Sequence, residues 1–119
     1  MMPQVSSVRE GRRDGRATRV AVTITGDVSP AEQVEALAVF ELLSRDAGHG
    51  DRRTRCRIEA RINTDSRSIV DGVMILEDGR VLFAWSVERT TLGAVRKVSR
   101  RLHAQMDAAS HRPAIHQTV

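Results

Sequence analysis

Apolar and polar residues first alternate at Val20, Val22 and Ile24, which are separated by Ala21 and Thr23 and followed by Thr25. A period of two is that of a half-buried strand, so a strand is predicted from about Arg19, ended by Gly26. The period then lengthens. Ser29-Pro30-Ala31-Glu32 places a serine at the N-cap, a proline at the first helical position and a glutamate at the third, which satisfies the orphan N–H groups of a helix start. Ala36, Leu37, Phe40 and Leu43 follow at spacings of three and four, and Gly48 marks the end. After a polar loop from His49 to Arg53, alternation returns between Thr54 and Asn63: Cys56, Ile58, Ala60 and Ile62 point one way, Arg55, Arg57, Glu59 and Arg61 the other. A turn from Thr64 to Arg67 precedes a third strand, Ser68 to Glu77. That strand is apolar on both faces, with Val73 and Ile75 on one and Met74 and Leu76 on the other. Asp78-Gly79 is the strongest short hairpin signal of the chain and leads into a fourth strand, about Arg80 to Val87. From Thr90, an N-cap, Val95, Val98, Leu102 and Met106 form the stripe of a second helix, with Arg96, Lys97, Arg100 and Arg101 largely off it.

The predicted order is β-α-β-β-β-α. Both helical stripes need burial, so the fold class is α+β, a four-stranded sheet with two helices on one face. A chain of 119 residues supports one such core. The domain is expected over 19–107. Residues 1–18 carry arginines, serines and glycines without apolar periodicity and are expected to form a disordered basic arm, and 108–119 a flexible tail.

A formal charge of +4 and a pI near 10.8 favour a polyanionic partner such as nucleic acid. Lys97 is the only lysine. Genomic codon bias accounts for most of an arginine excess, so only the placement of the arginines bears on function. Two placements stand out: the last-helix cluster Arg96, Lys97, Arg100 and Arg101, and the strand face Arg55, Arg57 and Arg61. Like charges two residues apart on a strand are costly unless acids or a polyanion relieve them, and Glu59 relieves part. In the fourth strand Val81, Phe83 and Trp85 share one face and Leu82, Ala84 and Ser86 the other. Exposed aromatics there would suit stacked bases or a protein interface.

Catalysis finds no footing in the sequence. Ser, His and Asp residues are scattered without a nucleophile motif, and no glycine-rich phosphate loop occurs, so no catalytic residue and no cofactor is expected. His49, His103, His111 and His116 lack ligand spacing with acids or Cys56, so no metal site is expected. A single cysteine permits no internal disulfide and fits a reducing compartment. No signal-peptide core or membrane-length apolar run is present, so a soluble cytoplasmic protein without a membrane partner is expected.

Several of these segments share a further pattern. Thr23-Ile24-Thr25-Gly26 is similar to an N-I-T-G motif, and Asp78-Gly79 stands where an N-G hairpin would. Ala94-Val95, Val98, Arg101-Leu102, Gln105 and Met106 match the spacing of A-I-x-x-L-x-x-K-L-x-R-Q-L. Together, from about Arg19 to Met106, they resemble the ribosome hibernation promoting factors, also called ribosome-associated inhibitors or ribosomal subunit interface proteins. The resemblance implies a short, single-domain form with a fold like that of double-stranded-RNA-binding domains. It also implies translation regulation: binding of small-subunit, 16S-type rRNA in the tRNA and mRNA channel, and inhibition of translation under stress or in stationary phase. On that basis the rRNA-binding residues are Arg96, Lys97, Arg100 and Arg101, with Arg55, Arg57 and Arg61 as a second set. The family register would turn Ala84 and Ser86 toward the helices and leave Phe83 and Trp85 on the open sheet. Leu92, Thr90 and Trp85 depart from the usual tyrosine, aspartate and small residue. The alternative is a diverged protein-interaction module that forms a homodimer or holds a partner through Phe83 and Trp85.

Overall fold

A computed structural model describes residues 16–19, 21–47 and 56–111. Its elements are β1 (Arg16–Arg19), β2 (Val22–Asp27), α1 (Pro30–Ala47), β3 (Cys56–Thr64), β4 (Ser68–Leu76), β5 (Val81–Glu88) and α2 (Thr91–His111). The strands form one sheet in sequence order, β1-β2-β3-β4-β5, with β2 and β3 parallel and every other pair antiparallel. Only the parallel pair needs a crossover, and α1 supplies it. The α+β order β-α-β-β-β-α is therefore present, with one more strand in front of it.

That additional strand corrects the expected boundary of the arm. The strand expected from about Arg19 to Gly26 is not continuous, because the chain turns at Ala21, where φ is +81°. Arg16–Arg19 then folds back on β2, pairing Arg16 with Thr25 and Arg19 with Val22. Alternation alone hides the turn, since an alanine in the left-handed region carries no turn signature. At the other end, α2 runs to His111, into the segment expected to be tail; the alanines there favour helix without extending the apolar stripe, and Pro113 disfavours helix at its predecessor. The expected arm before Arg16, together with Arg55 and the tail after His111, lies outside the described residues.

Both helix starts are capped as the sequence predicts. Ser29 Oγ accepts from Glu32 N–H at 3.2 Å, and Glu32 Oε1 accepts from Ser29 N–H at 3.3 Å. Thr90 Oγ1 accepts from Gly93 N–H at 3.0 Å. The hairpin at Asp78-Gly79 is present, with Leu76 O accepting from Gly79 N–H at 2.9 Å and Leu76 N–H donating to Arg80 O at 2.8 Å. Gly79, at φ +95°, supplies the left-handed residue of a bulged three-residue loop.

Gly26 does not end its strand. β2 continues to Asp27, and Gly26 pairs with Ile62 at φ +126°. A Cβ there would meet the Ile62 carbonyl oxygen at 1.9 Å, so only glycine permits the approach.

Both helices lie on one face of the sheet, α1 over β1–β3 and α2 over β4 and β5, in contact with each other. Between them and the sheet lie Val22, Ile24, Ile58, Ile62, Val70 and Met74 from the strands and Phe40, Val95, Val98 and Leu102 from the helices, all buried. Gly72 lets α2 approach: a Cβ there would stand 2.7 Å from Val98 Cγ1. Among the described residues no helix covers the opposite face of the sheet.

Candidate nucleic-acid interface

The outer surface of α2 divides into two lanes, each stepping by four residues. Lys97, Arg101 and Gln105 follow the edge of β5. Lys97 Nζ pairs with Glu88 Oε2 at 2.9 Å. The Arg101 guanidinium donates to the Trp85 carbonyl. Gln105 Nε2 donates to Phe83 O at 2.8 Å, while Gln105 Oε1 accepts from Phe83 N–H at 3.3 Å. The fit follows from two repeats, since four helical residues advance about 6 Å and two strand residues about 6.8 Å. One lane of side chains thus acts as a partial sixth strand, satisfying backbone groups that an edge strand would present for pairing. Lys97 also holds the Glu88 carboxylate below its ordinary range, chiefly by its hydrogen bond and then by its charge, with Ser86 and Arg101 contributing.

Arg96 and Arg100 form the second lane. Both are exposed, and neither makes an ion pair or hydrogen bond with another described residue. The structure therefore separates the four cations that the sequence grouped: Arg96 and Arg100 face outward, while Lys97 and Arg101 are tied to β5. Arg101 uses one of five guanidinium donors on Trp85 and keeps the others.

The sheet arginines sit elsewhere. Arg57 and Arg61 project from the face without helices, as alternation predicts, and with Arg16 they border a shallow concavity that also includes Thr23, Thr25 and Asp71. Acids answer them there. Arg57 lies 3.7 Å from Glu59, and Arg61 stands across from Asp71 in register. Two acids thus offset two of the three arginines on this face, whereas Arg96 and Arg100 project from α2 unopposed, which makes α2 the better polyanion surface.

Phe83 and Trp85 fall on the open face, as the register predicts, at 51% and 54% exposure, with Val81 beside them. Ala84 and Ser86 face the helices and are buried. The role of Gln105 is what sequence reasoning missed. It has a place in the helix motif, but nothing in a helical pattern says that an amide will reach the edge of a strand.

Cys56 is half-buried with Sγ 3.7 Å from Ser44 Oγ, and burial pushes its thiol up. His103 bridges the helices, 3.5 Å from both Asp46 and Asp107. Among the described residues no group of three or more His, Cys, Asp or Glu side chains is placed to hold a metal ion, and no helix is long and apolar enough to cross a membrane.

The class is thus a small α+β domain with a cationic helix locked to the edge of a mixed sheet. Its fold is shared with several solved structures. The ribosomal subunit interface protein from Coxiella burnetii matches with a TM-score of 0.61 at 19% identity, over 76% of this chain and 97% of that one. The Protein Y N-terminal domain of Thermus thermophilus matches with a TM-score of 0.57 at 13% identity, over 70% of this chain and 90% of that one. Identities this low establish a common fold. No protein-family model and no curated protein matches the sequence.

Proposed function

We propose that this chain is a ribosome hibernation factor: a binding protein, not a catalyst, that occupies the tRNA and mRNA channel of the small subunit and inhibits translation in stressed or stationary cells. The observation that carries the reading is the outward lane of Arg96 and Arg100 on a helix fixed to the sheet, in a fold shared with a ribosomal subunit interface protein. The sequence motifs of the first strand and last helix support the same assignment. So does the cationic balance of the chain.

The mechanism is occupancy. Arg96 and Arg100 contact phosphates and provide salt-dependent affinity, while Lys97 and Arg101 hold the helix at a fixed angle and add charge to the same surface. Selectivity comes from the shape of the domain against the folded RNA rather than from base-edge readout. Such a factor works in the cytoplasm, where its target resides. Cosedimentation with separated small and large subunits, paired with a cell-free translation assay, tests the reading. It expects binding to small subunits and loss of translation in proportion to occupancy. Failure to bind small subunits, or binding that leaves translation unaffected, would overturn it.

A further inference from the structure

The lock between α2 and β5 joins two features that the sequence leaves apart, the cationic helix and the exposed aromatics. Around one sheet edge stand Phe83 and Trp85 on the open face and Lys97 and Arg101 on the helix side, tied by Lys97 to Glu88, by Arg101 to Trp85 O and by Gln105 to Phe83. From this juxtaposition we infer that the β5 edge is a binding site for an unpaired RNA strand, with bases stacked on Phe83 and Trp85 and phosphates held by the donors that Arg101 keeps beyond its bond to Trp85. The inference rests on the reading above and deepens it by naming the form of RNA and the residues that select it.

Three observations define the occupant. Phe83 and Trp85 are alternate residues on one face, about 6.8 Å apart along the strand. That is twice the ~3.4 Å rise between paired bases, so the two rings receive splayed bases and not neighbours in a duplex. On the inner side Asp71 lies across from Trp85 and faces Arg61 in turn, whereas the Arg101 guanidinium stands at the outer edge. A strand is therefore oriented with bases over the sheet and phosphates over the edge, by attraction to Arg101 at the edge while Asp71 and Arg61 offset each other on the inner side. Finally, Gln105 occupies both backbone groups of Phe83, and Arg101 occupies the Trp85 carbonyl. A second copy or a peptide cannot extend the sheet there by strand addition, while the ring faces remain open.

Trp85 is the only tryptophan of the chain, so its fluorescence reports this site alone. The probes are a short oligouridylate, a fully paired RNA duplex of equal length, and inorganic polyphosphate. Oligouridylate is expected to quench Trp85, while polyphosphate and the duplex leave it nearly unchanged. Trp85→Leu, with unaltered circular dichroism, is expected to weaken binding of fluorescein-labelled oligouridylate, followed by anisotropy, by about tenfold, and Phe83→Leu to act in the same direction. Equal quenching by all three probes, or full affinity in Trp85→Leu, would overturn the inference. So would a wild-type dimer that Trp85→Leu converts to monomer without any RNA quenching, because the face then belongs to a second copy. The ribosome reading fails separately: wild-type protein that is quenched by oligouridylate but does not cosediment with small subunits keeps this site and loses that function.

Discussion

Gly72→Ala places a methyl group where α2 presses closest on the sheet. Its Cβ would lie 2.7 Å from Val98 Cγ1 and 3.4 Å from Leu102 Cδ1, against an optimum of about 3.5–4.0 Å between carbons. Val98 is β-branched on a helix and has essentially one rotamer, so the helix must shift rather than the side chain turn. Overpacking of this kind costs about 1–3 kcal/mol, and the stiffer unfolded chain of alanine offsets about 0.4–1 kcal/mol. The expected net loss is about 1–2 kcal/mol, with the melting temperature falling about 4–8 °C per kcal/mol in a domain of this size. Urea unfolding followed by circular dichroism measures it. Val98→Ala removes two methyl groups and costs about 2 kcal/mol by itself. In the double variant the new methyl enters the space that Val98 vacates, so its stability should match that of Val98→Ala alone. Hydrogen exchange adds a local readout: a displaced α2 withdraws Gln105, and the Phe83 amide in Gly72→Ala should exchange faster. Strictly additive effects of the two substitutions would refute the packing argument.

Gln33 is 1% exposed, and neither atom of its side-chain amide has a hydrogen-bond partner among the described residues. Gln33→Met, of similar volume, should stabilise the protein by about 1 kcal/mol or more, seen as a higher urea midpoint at unchanged slope; destabilisation would show that the amide is satisfied. Glu88 has its carboxyl held below the ordinary value of 4.5, first by the Lys97 hydrogen bond. Its contribution to stability is therefore present above that value and is lost as pH falls through the lower folded one. Lys97→Met should move the Glu88 titration, followed by NMR, back toward 4.5, though Ser86 and Arg101 still hold it partly down.

The expected elements between Ser29 and Met106 are present because each carries its own period and punctuation. The Ser29–Glu32 box, the Thr90 cap and the alternation from Cys56 to Ile62 are local signals that the tertiary structure leaves intact. The register of β5 was also legible: once Ala84 and Ser86 face the helices, Phe83 and Trp85 must face away. What was not legible depends on distant neighbours. The turn at Ala21 is held in part by Ile58 N–H donating to Ala21 O at 2.7 Å, a hydrogen bond across the sheet that no local pattern encodes. Gly26 reads as a terminator until Ile62 is placed against it. The four cations of α2 look equivalent on a helical wheel. Only the edge of β5 separates the pair that clamps from the pair that projects, and this matters for experiment: reversing Arg101 would disturb the clamp as well as the charge.

The salt dependence of small-subunit binding tests the central claim most directly, with Arg96→Glu/Arg100→Glu compared to wild type. These two side chains lie outside the core and off the clamp, so circular dichroism and melting temperature should stay native. For every phosphate that the variant no longer neutralises, one fewer counterion is released on binding, which lowers the log–log slope by about 0.7–0.9. The account predicts a fall of about 1.5 units in slope, together with weakened cosedimentation at low salt. A folded double variant that binds small subunits with the wild-type slope and affinity would contradict it.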